Sequence, residues 1–271
     1  MFIAIEYLGP VGVGATSPQV FRAIDVSVKT PSKPKIYIVK FSNNKLGSKV
    51  LVNELLAARM GELLELCFPP GGIIEITKDT IMRNRRLLSS KVLPGQHFAS
   101  EFLRGAEYVG RHNLPFAINK EQMAGVILFD HMFYNLDRTW NRKNLIMRRE
   151  KEGPKIYAID NSHLFRQGRW TSEWLEKLED GVNINSRRSF GLLLKHYLYP
   201  EDFFAFADKI KEIDDKEIEH LVDSIPAEWL PNTNERFSLK TFITKRRDMA
   251  DQIAYQLVEL IPDMHWGADF D

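Results

Sequence analysis

Three oxygen-bearing side chains that could support metal-assisted proton transfer lie within a short stretch of the sequence. Asp137 and Asn144 belong to one polar segment, Asn135–Asn144, and Asp160 follows a short apolar run further along. Amide and carboxylate oxygens are the hard ligands that Mg²⁺ prefers, usually together with phosphate oxygens of a substrate. A separate carboxylate such as Asp137 could orient a hydroxyl group and accept its proton. The residue types therefore indicate chemistry on a phosphorylated substrate.

The elements between these residues predict that they meet in space. Leu145–Met147 and Lys155–Ile159 are short apolar runs typical of strands, and Gly153-Pro154 between them is a turn signal. A hairpin places the start of one strand beside the end of its partner, so we expect Asn144 and Asp160 at one end of the ribbon. The preceding polar loop would lie next to them. The alternative is that Asp and Asn gather here only because turns favour them.

The first 104 residues predict a β-rich region with one helix. Ile36–Phe41 is the clearest strand, and Lys40 lies near the end of its apolar run. The helix predicted for Gly47–Leu66 carries Glu54 among its apolar positions rather than opposite them. An inward-facing carboxylate needs a partner. The alternatives are that Lys40 is a protective charge on an edge strand and that Glu54 is solvated.

A glycine-rich segment, Gly9–Pro18, precedes that strand. Glycine lets the backbone approach an anion closely, and successive N–H groups can surround a phosphate. The glycine order is G-x-x-G-x-G, which is neither the G-x-G-x-x-G of protein kinases nor a Walker motif. Glycine-rich turns also join strands without binding anything, so the segment predicts a phosphate loop only in combination with the other residues.

Composition and charge narrow the class of protein. The chain of 271 residues is 44% hydrophobic and 27% charged, which is typical of folded soluble proteins. Its net charge of +1 gives no overall field favouring nucleic acid or an anionic membrane. The single cysteine and the spacing of the histidines disfavour a zinc enzyme. Because no apolar run reaches membrane-spanning length and no secretory signal is evident, we expect a cytoplasmic protein.

From Asn119 onward the sequence predicts mainly helices. Asn119 is expected to cap a helix over Lys120–Tyr134, with Gln122 at the capping-box position. That helix would deliver the chain into the polar loop containing Asp137. The region after residue 171 is expected to be helical and to include one long helix from about Leu239 to Leu260.

With these residues in place, the sequence resembles the HipA-like kinase family, in particular its short bacterial members. The resemblance extends over roughly residues 8 to 170 and rests on short blocks in kinase order. The blocks are Gly12–Pro18, Val39–Phe41, Asn53–Ala58, His97–Phe102, Phe129–His131, Asn135–Arg138, Arg142–Asn144 and Ile159–Phe165. It implies an α+β, two-lobed protein-kinase-like fold, with residues 1–104 as a β-rich N-lobe and residues 105–271 as a mainly helical C-lobe. The two lobes would form one functional unit.

The resemblance also implies an activity and roles for single residues. The activity is transfer of the γ-phosphoryl group of ATP, with Mg²⁺, to a hydroxyl acceptor, chiefly serine or threonine of a protein. Asp137 would be the catalytic base, Lys40 would hold the α- and β-phosphates and pair with Glu54, and Asn144 and Asp160 would be the Mg²⁺ ligands. The implied ATP-binding residues are Gly12, Gly14, Ala15, Thr16, Lys40 and the backbone of Glu101, Phe102 and Leu103.

Two alternatives for the metal ligand and several for the function stay open at this stage. Asn144 lies seven positions after Asp137, whereas protein kinases have the asparagine about five positions on, where this chain has Arg142. We favour Asn144 because it directly precedes the apolar strand, and Asn141 is the second choice. Because a fold does not choose its acceptor, a small-molecule or lipid kinase is an alternative function, as is a non-catalytic nucleotide-binding module.

Overall fold

The computed structural model describes residues 1–12, 14, 16–27, 33–166, 168–185 and 190–260, except for the side chain of Leu260. The N-terminal region contains a closed five-stranded barrel, and a small three-stranded sheet and a mainly helical region follow it. The fold is therefore of the mixed α/β kind.

The barrel has the strand order β1-β2-β3-β5-β4. All neighbouring strands are antiparallel except β1 and β4, which meet in parallel where Phe2 lies opposite Ile74. Alternating residues such as Phe21 and Val39 are fully buried, so the barrel has a hydrophobic core of its own. The strands are β1 (Phe2–Pro10), β2 (Gln19–Asp25), β3 (Lys35–Lys40), β4 (Gly71–Ile76) and β5 (Gly95–Glu101).

Helix α1 (Lys49–Leu63) connects β3 to β4 and packs against β4 and β5. Its apolar side chains belong to the larger hydrophobic core, which continues into the helical region. The helix therefore links the barrel to the rest of the molecule. Two short helices, α2 (Lys78–Met82) and α3 (Arg85–Ser89), lie between β4 and β5.

The predicted hairpin is present in the three-stranded sheet. Its strands are β6 (Glu107–Tyr108), β7 (Leu145–Arg149) and β8 (Pro154–Ala158), in the order β6-β7-β8. Leu145 at the start of β7 lies opposite Ala158 at the end of β8. This register brings the residues just before β7 and just after β8 to the same end of the ribbon, as the sequence predicted.

Helix α4 is buried on all sides and organises the helical region. It packs against α8 and α11, and a Cβ atom added at Gly125 would lie 2.6 Å from atoms of Leu66 and Phe206. The helices after β6 are α4 (Gln122–Met132), α5 (Leu136–Trp140), α6 (Ser172–Leu178), α7 (Gly191–His196), α8 (Pro200–Lys211), α9 (Asp215–Asp223), α10 (Thr233–Asp248) and α11 (Ala250–Leu260). Within the described ranges, none of the helices is long and apolar enough to cross a bilayer.

Asn119 does not cap α4, so that sequence prediction was wrong. Its side chain instead bonds both backbone groups of Ile156, with Nδ2 donating to the carbonyl at 3.0 Å and Oδ1 accepting the N–H at 2.8 Å. Because β8 is an edge strand, these backbone groups would otherwise lack partners. The asparagine joins the helical region to the hairpin, and α4 begins only at Gln122.

Two other sequence predictions also differ from the structure. The single helix expected for Leu239–Leu260 is two helices, α10 and α11, and α10 begins earlier, because the side chain of Asn232 caps it. The segment around Asp137, expected to be a loop, contains the short helix α5. A helix of one turn and a half is too short to produce a recognisable apolar period.

Candidate active site

Lys40 is the centre of a buried cluster that joins the barrel to the segment after β8. Its Nζ donates to Asp160 Oδ1 at 2.8 Å and to Ser162 Oγ at 3.0 Å, and it also pairs with Glu54. Glu54 is buried on the inward face of α1, where the sequence predicted it. Its carboxylate accepts the backbone N–H of Asn161 at 3.2 Å. Three side chains from two distant parts of the sequence, α1 and the segment 160–162, therefore meet around one ammonium.

The charges of this cluster are coupled. Burial disfavours the ammonium of Lys40, but the carboxylates of Asp160 and Glu54 outweigh that effect and raise the pKa of Lys40. Burial also opposes ionisation of Asp160, yet the Lys40 ammonium and the bonds from Ser162 hold its pKa well below the usual range. For Glu54 burial dominates over Lys40 and raises the pKa. At neutral pH the cluster thus contains a charged Lys40–Asp160 pair.

Asp160 has an unusual backbone conformation for a residue other than glycine. It lies two residues after the end of β8 and has a φ of 61°. Left-handed geometry of this kind is uncommon outside glycine, although Asp and Asn tolerate it best, and it gathers at functional sites. The turn points the carboxylate back towards Lys40 and allows the Ser162 hydroxyl to donate to it. Ser162 was not among the predicted site residues, since nothing in its sequence neighbourhood distinguishes it from any turn serine.

Asp137 and Asn144 form a second pair at the same end of the hairpin. Asn144 Nδ2 donates to Asp137 Oδ2 at 2.7 Å. The long interval between them is taken up by α5 and a single 3-10 turn, Arg142–Asn144, which returns the chain to Asp137. Asn141 Nδ2 donates to Asn144 Oδ1 at 3.1 Å, so the second-choice ligand supports the first.

Arg138 connects this pair to the Lys40 cluster, although the sequence prediction gave it no role. The side chain is fully buried, and its Nε donates to Asp130 of α4 at 2.8 Å. Its NH1 donates to the carbonyl of Ile159 at 2.6 Å, and its NH2 donates to Asn161 Oδ1. The guanidinium thus holds the segments on both sides of Asp160 against α4 and α5.

His163 is a further neighbour of Asp137 that the sequence prediction left without a role. Its Nδ1 lies 3.9 Å from Asp137 Oδ2, beyond hydrogen-bonding distance. That nitrogen is buried and has no hydrogen-bond partner within the described residues. The side chains of Asp137 and His163 are both about one third exposed, at 29% and 37%, so a substrate group could reach them.

The described residues of the glycine-rich segment lie at the end of β1 and in the connection to β2. Gly12 and Gly14 have positive φ angles of 87° and 107°, and the chain closes where Val11 N–H donates to the Pro18 carbonyl at 3.0 Å. Gln19 lies opposite Val39, so the turn lies near the Lys40 end of β3. Thr16 is buried. Ala15, which the sequence analysis included among the ATP-binding residues, lies outside the described residues.

The segment Glu101–Leu103 leaves the barrel on its way to β6. The N–H of Phe102 donates to the Ile36 carbonyl at 2.9 Å. The N–H of Leu103 makes no hydrogen bond to any residue in the described part of the chain. The Leu103 N–H, unlike the Phe102 N–H, is therefore available to donate a hydrogen bond to a ligand.

Three comparisons with known proteins bear on this arrangement. The family model described as HipA-like kinase matches residues 30–266 of the chain. Among solved structures, the chain is similar to a Helicobacter pylori proinflammatory kinase, CtkA, with 12% sequence identity and a TM-score of 0.54, over 96% of this chain and 97% of that chain. At this identity the likeness shows a shared fold alone. No curated protein matches the chain in sequence.

Proposed function

The chain belongs to the HipA-like kinase family, and from this premise we propose that it transfers the γ-phosphoryl group of ATP, with Mg²⁺, to a serine or threonine hydroxyl of a protein. The convergence of Lys40, Glu54 and Asp160 beside the Asp137–Asn144 pair is the observation that carries the proposal. In this interpretation the barrel and α1, residues 1–104, are the N-lobe and residues 105–271 the C-lobe. The two act as one unit, with the nucleotide between them.

Asn144 and Asp160 fit a Mg²⁺ site by the chemistry of their donor atoms. Asn144 Oδ1 accepts one hydrogen bond, from Asn141, and Asp160 Oδ2 accepts none among the described residues. The described residues contain no group of three or more His, Cys, Asp or Glu side chains suited to a metal. Mg²⁺ typically takes only one or two protein ligands and completes its shell with water and phosphate. When bound, it would neutralise charge that develops on the phosphates during transfer.

Lys40 and the backbone around the cleft would position the nucleotide. Lys40 would exchange its contact with Asp160 for the α- and β-phosphates, while Glu54 keeps the ammonium in place. The backbone at Gly12 and Gly14, with Ala15 and Thr16, would approach the phosphates as the glycine turn closes over them. The adenine edge would lie along Glu101–Leu103, with the free Leu103 N–H as donor.

Asp137 would accept the proton of the acceptor hydroxyl. The bond from Asn144 orients one carboxylate oxygen, and Arg138 fixes the helix that carries Asp137. The chain forms no covalent bond to the substrate in such a reaction, so positioning and charge neutralisation supply most of the rate.

Transfer from labelled ATP tests the proposal directly. Wild-type protein with Mg²⁺ is expected to phosphorylate itself or an added protein mixture. Asp137→Asn and Asp160→Asn should each lower the rate by about 10²-fold or more, because each removes a group that acts on the reacting atoms. Asp223→Asn, at the exposed end of α9, is the matched control and should retain full activity.

Unchanged activity in both site variants would contradict the proposal. Binding of ATP, seen as a thermal shift, without transfer under any divalent cation would instead support the non-catalytic alternative. Transfer to metabolites or lipids but to no protein would support the small-molecule alternative.

A further inference from the structure

A basic cavity of about 330 Å³ is lined in part by Arg142 and Leu145, which lie on either side of Asn144 in the sequence. Arg111, Arg142, Lys195 and His196 line it and are exposed to solvent. They come from three places in the chain: the segment after β6, the 3-10 turn that ends at Asn144, and α7. Basic side chains from three separate elements therefore converge on one space.

The cavity departs from the charge balance of the whole molecule. The chain as a whole has a net charge of only +1. Yet no Asp or Glu is among the described residues that line this cavity. A concave site lined by one sign of charge concentrates ligands of the opposite sign. An anionic group is thus the ligand that these residues favour.

The cavity also has an apolar part, in which Val109 and Leu192 are half-buried while Leu114, Leu145 and Leu193 are buried beneath them. Bare phosphate or an inorganic ion would gain nothing from that apolar part. A peptide would use both parts, because its carboxylates could reach the basic rim while its chain covers the half-buried Val109 and Leu192. A nucleic acid is less well matched, since its binding relies on a long basic surface that tracks many phosphates.

The position of the cavity relates it to the acceptor. Arg142 lies two residues before Asn144, and Leu145 directly follows Asn144. Asn144 in turn donates to Asp137 Oδ2 at 2.7 Å, so the chain segment that lines the cavity also carries the side chain bonded to the carboxylate that would receive the proton of the acceptor hydroxyl. Residues that flank an acceptor bound at Asp137 would therefore lie within reach of the basic rim.

We propose that this cavity selects protein substrates whose acceptor serine or threonine is flanked by Asp or Glu. The inference rests on the proposed kinase function and adds a substrate class to it. Arg111, Arg142, Lys195 and His196 would act as specificity residues that touch the substrate rather than the reacting atoms.

Two matched peptides test the inference. They share one acceptor serine and differ only in that its flanking Glu residues are replaced by Gln. We expect kcat/KM to be about tenfold higher for the Glu peptide, since several partly exposed charge pairs act together. In Arg111→Glu/Lys195→Glu the preference should disappear or reverse. Arg149→Glu makes the same kind of change at the exposed far end of β7 and should keep the preference.

Direct binding provides a readout that is independent of activity. A fluorescent Glu peptide with Ala in place of the acceptor should bind the wild type more tightly than its Gln counterpart by anisotropy, and added KCl should reduce the difference. Arg111→Gln/Lys195→Gln, which introduces no new charge, should lose most of that difference. Unfolding midpoints of all variants show whether they are folded. If Arg111→Glu/Lys195→Glu is not folded, Arg111→Gln/Lys195→Gln replaces it in the kinetic test.

The outcomes separate the two proposals. Phosphoryl transfer to both peptides at equal kcat/KM, or a preference that survives in the cavity variants, overturns this inference and leaves the proposed function standing. Absence of transfer to any acceptor in the wild type overturns the proposed function. Complete displacement of the Glu peptide by single-stranded RNA that itself binds more tightly overturns the inference in favour of a nucleic-acid ligand.

Discussion

Lys40 is a buried cation whose two carboxylate partners come from different parts of the fold, α1 and the turn after β8. Its contacts show why a lysine near the end of an apolar strand is more than a protective edge charge: β3 lies between β2 and β5 inside the barrel and has no free edge. The ammonium neutralises Glu54 where water cannot reach it.

Replacing Lys40 alone is therefore expected to be more damaging than replacing the pair. In Lys40→Met the buried Glu54 and also Asp160 lose their partner, and the free energy of unfolding should fall by about 3–5 kcal/mol. Lys40→Met/Glu54→Met leaves no unpaired carboxylate on α1 and should recover much of that loss. Urea unfolding measures both, with Lys45→Met in the exposed loop before α1 as control. A double variant less stable than the single one would refute the explanation.

The two asparagines before β7 should differ in their effect on activity. Asn144→Ala removes both the proposed Mg²⁺ ligand and the bond to Asp137, and kcat should fall by roughly 10²–10³-fold. Asn141→Ala removes only a bond that supports Asn144, and the loss should stay within about tenfold. Steady-state kinetics over a range of Mg²⁺ concentrations measures both. A larger loss in Asn141→Ala than in Asn144→Ala would exchange their roles.

Among the elements, α4, α5 and the end of β8 depend on Arg138. Arg138→Lys keeps a charge beside Asp130 but loses the planar fork that also reaches Ile159 and Asn161. The Asp160 turn would be less well positioned, so kcat should fall about tenfold or more while the Kd for ATP changes little. Arg149→Lys, exposed on β7, is the control. A Kd that rises in step with the loss of kcat would point to general destabilisation instead.

Asn119 performs a similar connecting role between the start of α4 and the edge of the hairpin. Asn119→Ala leaves the buried N–H and C=O of Ile156 without partners and should lower the free energy of unfolding by about 1–3 kcal/mol. Asn234→Ala, exposed on α10, should change it by less than about 0.5 kcal/mol. Thermal and urea unfolding check the difference, and equal effects of the two changes would argue against the connecting role.

The parts of the site that the sequence predicted are those that local patterns can reveal. Glu54 could be placed inward because helical periodicity extends over fifteen residues of α1, and the hairpin because two apolar runs flank a Gly-Pro turn. Arg138, Ser162 and the bridging role of Asn119 could not be predicted. Their partners lie far away in sequence, and only the packed structure brings them within hydrogen-bonding distance. The roles in ATP and metal binding stay predictions.

For the molecule as a whole, two hydrophobic cores share strand β5, where Phe98 belongs to one and Ala99 to the other. One core fills the barrel, and the other runs from α1 through the helical region. Besides α1, the segment that begins at Glu101 joins the two regions, and the Glu101 carboxylate pairs with Lys35 of β3 at 2.7 Å and with Arg148 of β7 at 3.6 Å. The relative position of the two regions is therefore fixed by packing on one side and by a charged contact on the other.

Each region also contains a buried neutral histidine. His97 in β5 accepts the Ser42 N–H at Nδ1, with Nε2 against the Leu93 carbonyl. His131 in α4 accepts the Asn185 N–H at Nε2, with Nδ1 against the Ile127 carbonyl. Burial lowers the pKa of both to about 4.

These histidines predict a loss of stability in mild acid. Because the folded pKa lies below the unfolded value of about 6.5, the unfolded chain binds protons first, and stability falls as pH drops from about 6.5 towards 4. Between pH 7 and pH 5, each histidine should lower the free energy of unfolding by about 2 kcal/mol. In His97→Gln/His131→Gln, the decrease in the free energy of unfolding between pH 7 and pH 5 should be smaller by about the sum of the two histidine contributions. His220→Gln, which changes an exposed histidine, should keep the pH dependence of the wild type. Urea unfolding at both pH values measures it, and parallel slopes would disprove the assignment.

The left-handed backbone at Asp160 has a practical consequence for trapping the protein with its nucleotide. Alanine there would combine removal of a carboxylate with a backbone penalty, so any loss of function would be ambiguous. Asparagine tolerates the same φ and keeps the side-chain shape while it removes the negative charge. Asp160→Asn is accordingly the substitution of choice for a slow, natively shaped variant in crystallisation with an unhydrolysed triphosphate.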